Sequence, residues 1–219
     1  MRVIALGGSV LFGDFSSENI KKFAQVINEH DGKLAIVVGG GKIARRYIET
    51  ARSLGADEVT CDIIGIDVTR INARILAVCL SNCPDTVPDN FPDAKELLNR
   101  YDKVVMGGTF PGHTTDATSA LLAEFIRAEE LLIATSADGV YTKDPRIYSD
   151  AEKIEKMTPD ELVEVVSRSS INAGSSSVVD LLTSKVIQRS GIKTRIFLGT
   201  PENLKKVLDG GSIGTLVSY

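Results

Sequence analysis

The stretch that decides the fold is KLAIVVGGGKIARRYIETARSL, residues 33–54. It begins with an apolar run typical of a strand buried on both faces, turns at three glycines and continues with helical periodicity. Other short apolar runs along the chain are also separated by amphipathic segments. This alternation predicts an α/β fold in which a doubly wound, largely parallel sheet is sandwiched by helices.

Six apolar runs fit strands and a weaker candidate lies at 85–88; the six are 2–6, 33–39, 103–107, 131–135, 193–199 and 215–218. Eight segments fit helices, several of which begin at Ser, Thr, Asp or Pro. They are 17–30, 42–54, 59–80, 93–100, 116–127, 159–167, 178–190 and 201–208. The segment 150–177, which contains an AGSSS run, is the candidate hinge or lid.

Length and composition restrict the class of protein. A chain of 219 residues with 43% hydrophobic residues supports one large α/β domain or two small ones. A formal charge of -4 argues against a general nucleic-acid binder, which needs a basic face. The N-terminal apolar run is too short for a signal peptide, and no apolar stretch approaches the ~18 residues of a membrane span. Cys61, Cys79 and Cys83 show no zinc spacing and suit a reducing cytoplasm. We therefore expect a soluble, cytoplasmic protein.

Glycine and hydroxyl residues cluster where four predicted strands end. The clusters are Gly7-Gly8-Ser9, Gly39-Gly40-Gly41-Lys42, Gly107-Gly108-Thr109 and Thr135-Ser136-Ala137-Asp138-Gly139. Open α/β sheets bind ligands at the carboxyl ends of their strands. Glycine lets backbone N–H groups approach phosphate oxygens, and a following helix N-terminus adds positive charge. One such turn is a weak signal, but four at one edge of a sheet predict a site for phosphates.

Two common phosphate motifs fit the glycine turn poorly. The P-loop pattern GxxxxGK[ST] fails around Lys42, because Ile36 replaces its first glycine and Ile43 replaces its hydroxyl residue. The dinucleotide pattern GxGxxA is matched by residues 39–44, but it needs an acidic residue at the end of the next strand, about 20 positions on. The acids at that distance lie in or beside a predicted helix: Asp57, Glu58 and Asp62. A nicotinamide cofactor stays open as the weaker alternative.

Several segments together resemble a known family. In chain order they are GGSVL (7–11), GGGKIARRYIE (39–49), IGIDVTRINA (64–73), GGTFPGHTTDATSALLAEF (107–125), DGVYTKDPR (138–146) and AGSSSVVD (173–180). They resemble the uridylate (UMP) kinases of the amino acid kinase superfamily, specifically the archaeal branch. The resemblance runs from residue 2 to the C-terminal GTLVS. Its specific part is the combination of GGxxPGHTTD with DGVYTxDP, since GGGK alone occurs widely.

The resemblance implies that ATP donates its γ-phosphoryl group to UMP, giving UDP and ADP in pyrimidine nucleotide synthesis, with Mg²⁺ as the metal. It also implies a single domain over 1–219, in which residues to about 128 bind UMP and the remainder binds ATP. A homohexamer built from dimers is the implied assembly, with helix 59–80 as a dimer candidate. No nucleic-acid or membrane partner is implied.

The resemblance also implies roles for individual residues. Contacts to ATP fall on Gly7, Gly8, Ser9, Gly41, Arg45, Thr135, Ser136, Tyr141 and Asp144. Contacts to UMP fall on Gly40 at the phosphate, on Asp62 at the ribose, and on the loop of Thr109, Phe110, Pro111, Gly112, His113, Thr114 and Thr115. The chain departs from the superfamily where Ala5-Leu6 and Thr135-Ser136 replace lysines. The cationic charge at the reacting phosphoryl group must then come from Mg²⁺, Lys42, Arg45 or Lys185.

We expect His113 and Asp116 to have different roles in phosphoryl transfer. The phosphate of a nucleoside monophosphate is already deprotonated near neutral pH, so phosphoryl transfer to it needs alignment rather than a general base. We therefore expect His113 to line or support the acceptor loop. A carboxylate beside phosphates repels them unless a cation intervenes, so Asp116 either orients a lysine or hydrated Mg²⁺ or favours its helix N-terminus. Asp116, Lys42 and Arg45 are the catalytic candidates.

Two further hypotheses remain. A kinase of the same fold acting on isopentenyl phosphate, acetylglutamate or aspartate is one, although the hydroxyl-rich loop 109–115 argues against an apolar acceptor. A non-catalytic relative that stores oxometallate clusters is the other, although the chain has only two histidines.

Overall fold

The computed structural model describes residues 1–171 and 178–219. Its strands are β1 (Arg2–Leu6), β2 (Leu34–Val38), β3 (Lys103–Met106), β4 (Glu130–Thr135), β5 (Val140–Tyr141), β6 (Lys153–Ile154), β7 (Lys156–Met157), β8 (Thr194–Leu198) and β9 (Thr215–Val217). Its helices are α1 (Gly8–Leu11), α2 (Ser17–Glu29), α3 (Gly41–Ser53), α4 (Glu58–Ala77), α5 (Phe91–Arg100), α6 (Thr115–Phe125), α7 (Pro159–Ile171), α8 (Leu181–Ser190) and α9 (Pro201–Leu208).

Seven strands form the main sheet, in the order β3-β2-β1-β4-β8-β9-β7. Strands β3, β2, β1, β4 and β8 run parallel to one another, whereas β9 pairs antiparallel with β8 and parallel with β7. A separate antiparallel pair joins β5 to β6. The predicted doubly wound, largely parallel sheet is therefore confirmed.

Helices pack on both faces of the sheet, because the strands are apolar on both sides. Val3 and Ala5 of β1 point into a core that also contains buried residues of α5, α6, α7 and α8. Ile4 and Leu6 of the same strand point into a second core, formed with α2, α4 and α9. The alternation of side chains along a strand thus divides one apolar run between two cores.

Seven of the described helices begin at a side-chain cap, where a Ser, Thr, Asp or Asn oxygen accepts the N–H of the residue three positions on. The caps are Ser16 for α2, Asp57 for α4, Asn90 for α5, Thr114 for α6, Thr158 for α7, Asp180 for α8 and Thr200 for α9. Such a cap contributes about 1 kcal/mol, because it satisfies an N–H that has no partner within the helix.

Several predicted boundaries were wrong. Residues 85–88 form no strand, since Pro88 lies within the segment and Pro84 precedes it, and neither has the N–H that a sheet ladder needs. The helix predicted at 178–190 begins at Leu181, because Asp180 takes the extended conformation of a cap. The helix predicted at 59–80 ends at Ala77. The one-turn helix α1 and the two-residue strands β5, β6 and β7 were not predicted.

Part of the candidate hinge, including the AGSSS run at 173–177, lies outside the described residues. Within the described ranges, no helix is both long enough and apolar enough to cross a lipid bilayer.

Candidate active site

The glycine turns after β1 and β2 are in direct backbone contact. A Cβ atom added to Gly8 would lie 2.2 Å from the Gly41 nitrogen and 2.5 Å from the Gly39 carbonyl oxygen. The Gly39 N–H donates to the Leu6 carbonyl at 3.0 Å, and the Gly7 N–H donates to the Ala134 carbonyl at 3.1 Å. Only glycine permits this approach, so the starts of α1 and α3 lie side by side at the carboxyl edge of the sheet.

A hydroxyl and two cationic side chains lie on this paired turn. Arg45 Nη2 donates to Ser9 Oγ at 3.4 Å, which joins α3 to α1. Lys42 follows Gly41 in the first turn of α3, and its side chain is exposed. The chain order reverses at β1, between β2 and β4, and crevices at such reversals are where α/β sheets bind ligands. The turn therefore offers helix N-termini and positive charge to an anion.

The loop at 109–115 is fastened to α4 by a carboxylate. Asp62 Oδ2 accepts the Gly112 N–H at 2.8 Å. The Phe110 side chain is 65% exposed, and its ring centroid lies 5.8 Å from that of His113. Nδ1 of His113 is buried and has no hydrogen-bond partner among the described residues. His113 therefore packs within the loop, as expected for a residue that supports it.

Helix α6 begins directly after this loop. Thr114 Oγ1 accepts the Ala117 N–H at 3.0 Å and donates to Asp180 Oδ2 at 2.5 Å. Asp180 in turn accepts the Thr183 N–H at 2.9 Å and so caps α8. Two helix N-termini, one from each half of the chain, are thus linked by one short hydrogen bond.

Asp116 stands in the first turn of α6 in an unfavourable environment for a charge. Burial, and secondarily the negative charge of Asp180, raise the pKa of Asp116 to about 7. No cation lies within ion-pair distance of Asp116 in the part of the chain that the structure describes. A half-buried carboxyl with a raised pKa beside a glycine-rich edge is a functional-site signal.

A cavity of about 510 Å³ opens on the other side of the paired turn. Its described lining combines the end of β4, the β5 region and apolar side chains from α7, β8 and the residues before α8. Four residues predicted for ATP line it: Thr135, Ser136, Tyr141 and Asp144. The volume lies within the usual range of small-molecule sites.

Charged side chains at this cavity are paired with one another. Asp138 accepts from Tyr141 Oη at 2.9 Å and from Lys153 Nζ at 3.1 Å. Burial opposes ionisation of Asp138, but these two hydrogen bonds outweigh it, so its pKa is lowered. Arg146 donates to both carboxylate oxygens of Asp144, at 3.0 and 2.6 Å, and lowers the Asp144 pKa to about 2.

The predicted residues thus fall into two groups on either side of the paired turn. Asp62 lies against the loop 109–115 and Gly40 lies beside Thr69 of α4, whereas Thr135, Ser136, Tyr141 and Asp144 line the cavity. Lys185 is instead exposed and bonds to Gln188 on its own helix, which gives no support to a site role. Sequence analysis did not identify Asp180, Arg146 or Lys153. Of these three, Asp180 could have been found from the sequence, because an Asp before an apolar run is typical of a helix N-cap.

Metal ligands are sparse in this region. The described residues contain no group of three or more His, Cys, Asp or Glu side chains that could hold a metal ion. Asp116 and Asp180 are close enough for one to raise the pKa of the other, and so provide carboxylate oxygens near the start of α6. This set suits a cation held mainly by a ligand's phosphates, as Mg²⁺ commonly is.

Comparison with known proteins gives matches over almost the entire chain. Residues 1–198 match the amino acid kinase family. A uridylate kinase from Archaeoglobus fulgidus is 51% identical over 218 residues, which covers 99% of both chains. One from Methanococcus vannielii is 52% identical over 221 residues and 98% of both chains. The crystal structure of the Archaeoglobus fulgidus uridylate kinase matches with a TM-score of 0.92 at 49% identity, over 99% of both chains.

These matches confirm the identification made from the motifs. They extend across both groups of site residues, and the most similar relatives include archaeal proteins named uridylate kinase. The chain belongs to the amino acid kinase family.

Proposed function

We infer that the protein is a uridylate kinase, a phosphotransferase that moves the γ-phosphoryl group of ATP to the phosphate of UMP and releases UDP and ADP. The observation that carries this inference is the backbone contact between Gly8 and the 39–41 turn. It brings two anion-binding turns together between a polar loop and a nucleotide-sized cavity. The uridylate kinases that match over the full chain support the same substrates.

UMP occupies the side of the turn that carries the loop 109–115. Gly40 faces its phosphate, and polar groups of the loop other than the Thr114 hydroxyl supply hydrogen bonds to the uracil. Asp62 uses Oδ2 to hold Gly112, while Oδ1 has no hydrogen-bond partner among the described residues and accepts from the ribose hydroxyls. His113 packs against Phe110 and keeps the loop in shape.

ATP occupies the cavity on the other side. Its adenosine lies against Thr135, Ser136 and Tyr141, with Asp144 at the rim. Its phosphates reach the starts of α1 and α3, where Gly8, Ser9 and Gly41 present backbone N–H groups. Gly7 lies beside them, and its own N–H is bonded to the Ala134 carbonyl. On this proposal, residues to about 128 form the acceptor half and the remainder forms the donor half of a single domain.

Transfer proceeds through a loose, metaphosphate-like transition state that needs alignment and charge stabilisation. Arg45 and Lys42 supply positive charge at the paired turn, with the helix N-termini behind them. Asp116 orients one of these cations or a hydrated Mg²⁺. When bound, Mg²⁺ neutralises charge on the donor phosphates, and the carboxylates of Asp116 and Asp180 are the protein oxygens available to it. No side chain is required as a base.

The test is an ADP-release assay with ATP and each nucleoside monophosphate, with and without Mg²⁺. UMP should be converted to UDP, and CMP and isopentenyl phosphate should react poorly. Activity on isopentenyl phosphate, acetylglutamate or aspartate in the absence of UMP activity would assign another kinase of this fold. Bound molybdenum in the purified protein without any kinase activity would assign a storage protein.

The proposed assembly is a homohexamer of dimers in the cytoplasm. The exposed apolar side chains of α4 offer a dimer surface, and they include Val59, Ile63 and Ile71. The three cysteines are free thiols, as a reducing compartment requires. Light scattering after size exclusion should give six chains per particle; a monomer at micromolar concentration would exclude this assembly.

A further inference from the structure

One face of α4 makes three contacts with backbone groups of the acceptor side. Asp62, Thr69 and Asn72 are separated by seven and three residues, spacings that bring side chains to the same face of a helix. Asp62 holds Gly112 in the loop, as described above. Thr69 and Asn72 hold the glycine turns after β3 and β2, and neither residue has a role in the site so far.

Thr69 fixes the end of β3. Its side chain is 7% exposed, and its Oγ1 accepts the Gly108 N–H at 2.7 Å while donating to the Ile66 carbonyl at 2.6 Å. A Cβ atom added to Gly107 would lie 2.5 Å from Thr69 Oγ1 and 2.7 Å from the Arg70 nitrogen. The backbone at Gly107 and Gly108 therefore packs against α4 where it leads into the acceptor loop. The Thr69 hydroxyl sets the direction of the Gly108 N–H.

Asn72 fixes the turn after β2. The residue is 2% exposed, and its Nδ2 donates to the Gly39 carbonyl at 2.9 Å and to the Gly40 carbonyl at 3.3 Å. A carbonyl oxygen that faced a phosphate would repel it. By engaging both carbonyls, Asn72 keeps the turn in a conformation that presents N–H groups to an anion.

We propose that Thr69 and Asn72 are positioning residues for phosphoryl transfer: from one face of α4 they set the spacing between the acceptor loop and the phosphate-binding turn. The proposal rests on the proposed function. Neither side chain contacts the reacting atoms; both act through backbone groups that do. Loss of the Thr69 hydroxyl should therefore impair use of the acceptor and leave binding of the donor intact, because the donor cavity is lined by other elements.

The matched test is Thr69→Val against Thr69→Ser. Valine keeps the shape of threonine and removes the acceptor, whereas serine keeps the hydroxyl. In T69V, kcat/KM for UMP should fall by about tenfold or more, with KM for ATP within about twofold of the parent, because misalignment of the acceptor costs rate steeply. T69S should recover most of the loss. Asn72→Leu, which removes the amide donors, should lower kcat/KM for UMP in the same way; its KM for ATP should also rise, because the turn that Asn72 holds carries Gly41 of the donor site.

Thr118→Val is the control for removing a buried threonine hydroxyl. Thr118 is 0% exposed, and its Oγ1 has no hydrogen-bond partner among the described residues. T118V should keep the kinetic constants of the parent. A readout independent of activity is hydrogen exchange at the Gly108 amide, which should accelerate by about tenfold or more in T69V and stay slow in T69S and T118V.

Thr69→Cys replaces T69V if the valine variant does not fold, since sulfur is a weaker acceptor of similar size; it should give a smaller loss of the same kind. The proposal is overturned if folded T69V has the parent's kcat and KM for UMP, if T69S is as impaired as T69V, or if KM for ATP rises in T69V as much as KM for UMP. Parent protein that is inactive on UMP but phosphorylates another acceptor refutes the proposed function alone. In that case, kcat and KM of the variants are measured with that acceptor. If the parent phosphorylates no acceptor, both the proposed function and the positioning role of Thr69 and Asn72 are overturned.

Discussion

The proposed acceptor side consists of α4, the 39–41 turn and the loop 109–115, and the proposed donor side consists of the cavity and residues 135–153. The two sides are held together by different kinds of contact. On the acceptor side, side chains of α4 bind backbone groups that lie 33, 39 and 50 residues away in the chain. On the donor side, charged groups between Asp138 and Lys153 pair with partners only 2 to 15 residues away. The donor side is also tied to the main sheet, since the Val140 N–H donates to Thr215 Oγ1 of β9 at 2.8 Å, but its charged pairs are local.

The long-range contacts of the acceptor side favour catalysis because they hold its backbone in place. The acceptor phosphate must be aligned with the donor phosphoryl group, and a backbone fixed by distant elements provides that alignment before UMP arrives. The segment 142–152 can rearrange more readily than the sheet, because its ion pairs are local and the Arg146 side chain is 65% exposed. Substitutions should therefore separate into those that change acceptor use and those that change donor binding.

The largest effect is expected for Asp116→Asn, in the first turn of α6, where Thr114 bonds to Asp180 of the other half of the chain. The variant keeps the size of the side chain and loses its charge, so it cannot orient a cation at the reacting phosphates. We expect kcat to fall by roughly 10²-fold or more with modest changes in both KM values. Steady-state kinetics with UMP and ATP varied in turn provide the measurement. An unchanged kcat in a folded variant would remove Asp116 from the catalytic group.

The same substitution should stabilise the protein at high pH. The folded-state pKa of Asp116, about 7, is above the ordinary value of 3.8, so ionisation is costly in the folded state and that cost grows as pH rises from 4 to 7. At ~1.36 kcal/mol per pKa unit, D116N should gain up to ~4 kcal/mol over the parent at pH 8, or roughly 8–16 °C in Tm, and less than half of that at pH 5. Thermal melts of D116N and the parent at pH 5 and pH 8 measure this difference in Tm. An equal difference at both would mean that Asp116 does not titrate in this range.

Asp62→Ala should affect the acceptor side alone. It removes the partner of the Gly112 N–H and the proposed ribose contact, so KM for UMP should rise by about tenfold or more, with KM for ATP nearly constant. Asp62→Asn, which retains an oxygen acceptor, should lose less. A rise in KM for ATP of the same size would contradict the separation of the two sides.

Tyr141→Ala should affect the donor side alone. Loss of the ring from the cavity wall should raise KM for ATP by about fivefold, a change of about 1 kcal/mol. Tyr141→Phe keeps the ring and loses only the bond to Asp138, so it should stay within about twofold. If KM for UMP changed instead, the cavity would not be the donor site.

The smallest effect is expected for Thr118→Val in α6. The hydroxyl is buried without a partner among the described residues, so its replacement should raise the free energy of unfolding by up to about 1 kcal/mol. Chemical denaturation measures this directly. A destabilised T118V would show that the hydroxyl has a partner in solution, and a change in its kinetic constants would extend the acceptor side into the body of α6.

Much of the fold could be predicted because the long strands are continuous apolar runs between glycine turns and capped helices. The two-residue strands β5, β6 and β7 could not, since so short a segment has no periodicity to detect. Motifs predicted the acceptor loop and four of the residues that line the cavity, and their roles stay predictions. Thr69 and Asn72 lie inside one of those motifs, but only the three-dimensional contacts show that their side chains hold glycine turns rather than face solvent.

The most direct test of the two-sided account is hydrogen exchange measured with each nucleotide alone. UMP should slow exchange in peptides that cover residues 39–41, 62 and 107–115, with little change at 135–146. A non-hydrolysable ATP analogue should slow exchange at 7–9 and 135–146, with little change at 107–115. Protection of the cavity residues by UMP, or of the 107–115 loop by the ATP analogue, would contradict the account.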